Sequence, residues 1–163
     1  MSIPLHLTPA ILATLDLTPA HELVQQLLQD PASSAQQVIF SIDYPRALGD
    51  PRELSEIPEV RLWFVRLDAA YPWIPYFLDW RQGELARYAA MLIPHQFKPK
   101  EGIQYNPEAL ELWLYNKIFV LISWMKRNEI GGINDLKNMA LIFGFEVSDD
   151  FLKLWEETDP DLA

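Results

Sequence analysis

The chain has 163 residues, half of them hydrophobic, and a formal net charge of −10 from 23 acidic and 13 basic residues. This composition predicts one folded domain and makes nucleic acid and anionic membranes poor partners, since the basic residues are scattered. The sequence contains no cysteine, which excludes disulfides, thiol nucleophiles and iron–sulfur clusters held by the chain's own thiolates.

The first 37 residues are predicted to form a helical segment. A helix begins at Thr18-Pro19, because Leu23, Leu27 and Leu28 follow at helical spacing. Asp30-Pro31 is predicted to end this helix.

Residues 38–104 are predicted to contain a sheet and an aromatic, proline-rich region. β-Branched and aromatic residues favour a strand in VIFSI at 38–42 and a second in VRLWFVRLD at 60–68. ELARYAAMLIP at 84–94 fits a helix or a strand, and we favour a strand because Gly83 and Pro94 bound a short apolar run. The connection at 43–59 is long, and long ordered loops tend to be functional.

Residues 105–157 are predicted to be helical. Three residues cap successive helices, namely Asn106, Asn134 and Ser148. The first helix is expected to run to about Arg127 and the second to end near Gly144. The apolar run at 112–125 is too short to cross a bilayer, and the acidic tail at 158–163 is expected to lie in solvent.

Together these elements predict the fold class. We expect a single α+β domain of residues 1–163, in which a small antiparallel sheet from the middle of the chain packs against a helical C-terminal third.

Paired acids near the aromatic region are the main argument for catalysis. Asp79, Glu84 and His95 would serve a small hydrolase or lyase, since carboxylates and a histidine can carry general acid–base chemistry. Both acids, however, have an arginine nearby in the sequence, and such pairs are more often structural or recognition elements. GxGxxG and Walker A loops are absent and the three histidines are far apart, so we expect no catalytic residue, cofactor or metal site. The hydrolase or lyase remains the alternative.

Aromatic and arginine residues are concentrated between residues 43 and 95, and these residue types dominate the hot spots of protein interfaces. The stretch YPWIPYFLDW at 71–80 combines five aromatic residues with two prolines, which restrict its backbone. Some rings are expected to face the core, and an exposed Trp73 or Trp80 would mark a binding surface. The predicted partner-binding residues are Asp43, Tyr44, Arg46, Arg52, Glu53, Trp63, Asp68, Tyr71, Trp73, Asp79, Trp80, Arg81, Glu84, Arg87 and His95.

Several long motifs in this sequence resemble a known family. Residues 43–97, with DPRELSEIPE, RLWF and ELARYAAM, and residues 105–124, YNPEALELWLYNKIFVLISW, are similar to the chlororespiratory reduction family, member six. The resemblance implies a non-catalytic assembly factor, or chaperone, for the photosynthetic NAD(P)H dehydrogenase-like complex of cyanobacteria and plastids.

The resemblance also implies a partner and a compartment. The expected client is the iron–sulfur subunit I of that complex, or an assembly intermediate that contains it, which the factor helps to mature or to join the hydrophilic arm. The sequence begins without a recognisable secretory signal or transit peptide, so we expect a cytoplasmic cyanobacterial protein, whereas plastid relatives would be stromal. A permanent subunit of the complex is a further alternative.

Overall fold

The computed structural model describes residues 1–157, without the side chains of Trp155 and Glu156. A parallel pair of strands lies near the N-terminus: β1 (Ile3–Leu7) pairs with β2 (Val38–Ile42), from Ile3 opposite Val38 to Leu7 opposite Ile42. A parallel pair needs a crossover connection, and three helices supply it: α1 (Pro9–Thr14), α2 (Thr18–Leu27) and α3 (Pro31–Ser34).

This N-terminal region confirms two predictions and corrects two. β2 and α2 match the predicted strand and helix. β1 was not predicted, so the first 37 residues are not purely helical. The pair Asp30-Pro31 follows α2 but also begins α3, because the Asp30 carboxylate accepts the Ser33 N–H at 3.4 Å.

The strand predicted at 60–68 is wrong, because these residues belong to helix α4 (Pro58–Ala70). The apolar residues that the helix buries are Val60, Trp63, Phe64 and Leu67, a spacing that places them on one helical face. Pro58 stands in the first turn, where its missing N–H costs nothing. The approximate alternation of polar and apolar residues that favoured a strand was therefore misleading.

The strand predicted at 84–94 is also wrong, and α5 (Glu84–Leu92) is a helix. Leu85, Tyr88 and Ala89 are buried at helical spacing, which agrees with the alanine-rich sequence. Gly83 precedes the helix in a left-handed conformation, with φ of 75°, that favours glycine.

An antiparallel hairpin follows α5, formed by β3 (His95–Lys98) and β4 (Gly102–Tyr105), with His95 opposite Tyr105. The predicted α+β fold, with a small antiparallel sheet in the middle of the chain and helices towards the C-terminus, is confirmed. Its antiparallel strands, however, are not the segments that the sequence patterns indicated.

The C-terminal third contains the helices α6 (Pro107–Arg127), α7 (Ile133–Ile142) and α8 (Asp149–Glu157). Asn106 caps α6 and Ser148 caps α8, as predicted, by accepting the N–H groups of Ala109 at 3.0 Å and Phe151 at 3.2 Å. Asn134 is not a cap, because α7 begins one residue earlier and Gly132 occupies the cap position. The predicted acidic tail at 158–163 lies outside the described residues.

A hydrophobic cluster joins both halves of the structure. Its largest fully buried aromatic side chains are Trp63, Phe64, Phe77 and Tyr88, and α6 adds Trp113 and Trp124. Within residues 1–157, no helix is both long enough and apolar enough to span a bilayer.

Candidate partner-binding site

The loop after β2, residues 43–53, carries five of the predicted partner-binding residues, all of them exposed or half-exposed. The Arg52 guanidinium binds the Asp50 carboxylate, with Nε donating to Oδ1 at 3.0 Å and to Oδ2 at 3.2 Å and Nη2 donating to Oδ2 at 2.7 Å. These bonds lower the pKa of Asp50 to about 2. Arg46 Nη1 donates to the Arg52 carbonyl at 2.5 Å, and Tyr44 donates to Glu59 at 3.3 Å. The loop is therefore ordered by its own charged side chains. Its exposed predicted residues are Asp43, Arg46 and Arg52.

A 3₁₀ turn at Leu54–Glu56 ends this loop. The Glu53 carboxylate accepts a main-chain N–H of the turn, and Glu56 accepts the Glu53 N–H at 2.7 Å, which forms a reciprocal capping box. Glu53 is thus fixed at the start of the 3₁₀ turn. The turn also fixes the position of the buried Ser55, which lies within it.

Ser55 and His95 form a hydrogen bond between elements that are 40 residues apart. Ser55 Oγ lies 2.6 Å from His95 Nε2, the pairing that a serine nucleophile uses. The other ring nitrogen, Nδ1, lies 3.2 Å from Arg61 Nη1 and 3.1 Å from the Ile93 carbonyl. A catalytic triad would place a carboxylate there, whereas this structure places the Arg61 guanidinium and a main-chain carbonyl. This network joins α4, α5 and β3.

Glu84 and Arg87 form a second network at the first turn of α5. Glu84 is buried and accepts the Phe40 N–H at 2.9 Å, and Arg87 Nη1 lies 3.3 Å from Glu84 and donates to the Phe40 carbonyl at 3.2 Å. Burial raises the pKa of Glu84, while the Phe40 N–H and the Arg87 cation act in the opposite direction. Glu84 and Arg87, two of the predicted partner-binding residues, therefore join α5 to β2.

A cavity of about 350 Å³ lies between these two networks. Its apolar lining comes from the end of β2, the 3₁₀ turn, α5 and β4, and its charged lining residues are Glu53 and Arg87. The complete lining is Ile42, Glu53, Leu54, Ser55, Gly83, Ala86, Arg87, Ala90, Met91 and Ile103. We call this space the α5 groove.

The aromatic stretch at 71–80, which we call the aromatic corner, is mainly packed within the fold. Trp80 is 9% exposed and donates its Nε1–H to the Pro75 carbonyl at 2.9 Å. Trp73 is half-buried and stacks on Trp124, with ring centroids 5.9 Å apart and planes within 2°. Tyr71 meets Trp73 edge to face and bonds to His21 at 2.6 Å. Of Trp73 and Trp80, Trp73 is the more exposed.

Asp68 belongs to a polar network among three helices. It accepts hydrogen bonds from the Tyr88 hydroxyl on α5 and from the Lys117 ammonium on α6. Lys117 is 2% exposed and Asp68 is 26% exposed. Burial, followed by the Asp68 charge, raises the pKa of Tyr88 well above its ordinary value. The network is a structural ion pair that connects α4, α5 and α6.

Asp79 is buried and caps a 3₁₀ turn at Trp80–Gln82. Its carboxylate accepts the Ser2 hydroxyl at 2.6 Å and the Arg81 N–H at 3.1 Å, and the Ser2 bond is the main reason why the pKa of Asp79 is lowered. Arg81 is exposed beside it. Both residues line a cavity with Ser2, whereas His95 lines a different one with Gln96 and Gln104.

The predicted residues therefore do not form one site. Glu53 and Arg87 lie together at the α5 groove, and the main chain leads from its lining residue Ile42 directly into the exposed loop at 43–53. Tyr71 and Trp73 belong to the aromatic corner, and Asp68, Asp79 and Glu84 hold elements together. Trp63 is fully buried and donates to the Asp16 carbonyl at 2.7 Å, so in this structure it is a core residue and not a surface residue.

Three residues of these networks, Ser55, Arg61 and Lys117, are not among the predicted partner-binding residues, and neither is the groove residue Ile42. Lys117 carries a usable signal, because a lone lysine within the apolar run at 112–125 needs a buried acidic partner. No comparable signal marks Ser55, whose partner is 40 residues away.

Comparison with known proteins agrees with the family resemblance of the motifs at 43–97 and 105–124. The family model described as chlororespiratory reduction 6 matches residues 7–154. The chain belongs to the chlororespiratory reduction 6 family. The match includes every helix except the end of α8, all of β2, β3 and β4, and the α5 groove. No solved structure matches this member of the chlororespiratory reduction 6 family.

Proposed function

We propose that this protein is a non-catalytic assembly factor, or chaperone, for the photosynthetic NAD(P)H dehydrogenase-like complex. The observation that carries the proposal is the family match over residues 7–154, since the family name refers to chlororespiration. The proposed client is the iron–sulfur subunit I, or an intermediate that contains it, before the hydrophilic arm is complete. The proposed compartment is the cytoplasm of a cyanobacterium.

The geometry of the three residues that an enzyme would use supports this proposal. Asp79 caps a turn, Glu84 bonds to β2, and His95 has the Arg61 cation beside Nδ1. Asp79 and His95 line separate cavities. These positions favour structural roles over a shared catalytic centre.

The exposed loop at 43–53 and the adjoining α5 groove are the proposed client surface. The loop is held by its own ion pair between Arg52 and Asp50, so a client would meet an ordered surface and little conformational entropy would be lost on binding. The groove adds apolar area, which contributes most of the free energy of association.

Co-purification tests the client. A tagged full-length chain replaces the native copy in a cyanobacterium, and bound proteins are captured after brief crosslinking and identified by mass spectrometry. We expect subunit I among them. Its consistent absence, while the tagged chain still restores the complex, would contradict the proposed client.

Alanine substitution separates an assembly factor from a hydrolase or lyase. In the same strain, His95→Ala is expected to reduce accumulation of the complex only partly, because His95 lies outside the proposed client surface and the variant loses only structural contacts to Ser55, Arg61 and the Ile93 carbonyl. Complete loss of function with a normally folded His95→Ala protein would favour the enzyme.

A further inference from the structure

The outer edge of β2, the side facing away from β1, is closed by main chain at its first residue. Val38 N–H donates to the Phe77 carbonyl at 2.7 Å, and the Val38 carbonyl accepts the Asp79 N–H at 2.8 Å. The aromatic corner thus supplies a short strand-like partner at this position. Two residues further along β2, at Phe40, the hydrogen-bond partners are side chains: Glu84 accepts the Phe40 N–H and Arg87 donates to the Phe40 carbonyl.

Ile42 is the next residue of β2 whose main-chain groups lie at the outer edge. Main-chain groups alternate in direction along a strand, and the N–H of the following residue, Asp43, donates to Leu7 in β1 at 2.9 Å. Ile42 therefore directs its N–H and carbonyl away from β1, as Phe40 does. Among residues 1–157, neither group of Ile42 has a hydrogen-bond partner. Unpaired groups at a strand edge are a ready template for another chain.

The open end of β2 borders the α5 groove, because Ile42 is one of its lining residues. The groove is lined mainly by apolar or small side chains, and its volume of about 350 Å³ suits a few residues of a peptide. Arg87 contributes the positive charge. Its Nη1 is used within the fold, whereas Nε and Nη2 have no partner in the described part of the chain. The Glu53 carboxylate is already engaged by the capping box.

We propose that the α5 groove binds an extended peptide segment that pairs its main chain with Ile42, places an apolar side chain between α5 and β4, and directs an acidic side chain to Arg87. This is strand addition at a sheet edge, in which main-chain hydrogen bonds give affinity and side-chain pockets give specificity. The guanidinium fork of Arg87 suits a carboxylate because it can donate two bonds at once. The inference rests on the proposed function for its client, but the groove can be tested without one.

The test is selection of peptides from a phage library of randomised 12-residue segments against the full-length protein. We expect enriched peptides in which an aspartate or glutamate lies among alternating apolar residues. Ala86→Trp fills the groove and removes no side-chain hydrogen bond, and Ala69→Trp is its matched control on the exposed face of α4. Enriched peptides should bind the Ala69→Trp protein normally and the Ala86→Trp protein at least about tenfold more weakly.

Synthetic copies of an enriched peptide then test the individual contacts by fluorescence anisotropy. Replacing its acid by lysine, and Arg87→Gln in the protein, should each weaken binding about tenfold or more, whereas Arg66→Gln on α4 should not. N-methylation at one peptide position should have a similar effect, because it removes the main-chain donor to the Ile42 carbonyl. Arg87→Gln gives a second way to disturb the groove if Ala86→Trp does not fold.

Two outcomes would overturn the proposal. One is that no peptide is enriched; the other is that the enriched peptides bind the Ala86→Trp and Arg87→Gln proteins as well as the wild type. If subunit I still co-purifies in either case, the proposed function stands and the client binds elsewhere. If peptides bind as expected but subunit I never co-purifies, the groove is a peptide site for another client.

Discussion

Glu84 shows how a residue of the candidate site contributes to the fold and its pH dependence. Burial raises the pKa of Glu84 above its ordinary value of 4.5. At a pH between the ordinary and the raised pKa, the folded state therefore binds more protons than the unfolded state. The contribution of Glu84 to stability is therefore complete below the ordinary pKa and is lost as pH rises through the raised one.

Glu84→Gln is expected to remove this pH dependence. The free energy of unfolding of the variant, minus that of the wild type, should increase from about pH 4 to about pH 7, because only the wild type is penalised by ionisation of a buried carboxyl group. Urea unfolding at several pH values measures this difference. The exposed Glu111→Gln on α6 is the control and should show a flat difference, and a flat difference for Glu84→Gln would contradict the account.

At the scale of elements, the ion pair between Asp68 and Lys117 connects α4 to α6. Asp68→Ala leaves the ammonium of Lys117 buried without a counter-charge, so it should cost about 3–5 kcal/mol. Lys117→Met removes the buried charge itself, and the partly exposed Asp68 keeps the Tyr88 hydroxyl and water as partners. Its cost should be smaller, below about 2 kcal/mol.

Urea unfolding of three variants checks this asymmetry. The double variant Asp68→Ala with Lys117→Met should be more stable than Asp68→Ala alone, because the unpaired cation is gone. If Lys117→Met is the more destabilising single change, the ion pair does not have the role assigned here.

The helices also show which parts of the fold are readable in the sequence. α6 was predicted almost residue for residue, because Asn106 and Pro107 mark its start and Lys126 and Arg127 its end. α4 was not, because its exposed face also carries the apolar residues Leu62 and Val65, which hide the helical spacing of the buried positions in the sequence.

The candidate site was readable only in part, for a similar reason. The loop at 43–53 stands out by its prolines and charges, but Glu84 meets Phe40 across 44 residues of sequence and His95 meets Ser55 across 40. Residue type alone also does not separate Trp63, fully buried, from Trp73, half-buried. Such pairings depend on how helices and strands pack, and local patterns do not contain that information.

For the whole molecule, the central proposal is that this protein acts during assembly and leaves the finished complex. The family match supports this proposal, and the α5 groove, which adjoins an exposed loop and an open strand edge, offers a surface for a client. An assembly factor binds its client transiently, whereas a permanent subunit would stay bound in fixed stoichiometry.

Separation of native complexes by size, with quantitative mass spectrometry of each fraction, tests this claim most directly. The account predicts that the chain migrates with subunit I in fractions smaller than the mature complex and is absent from the mature complex. Equal amounts of the chain and the other subunits in the mature complex would contradict it.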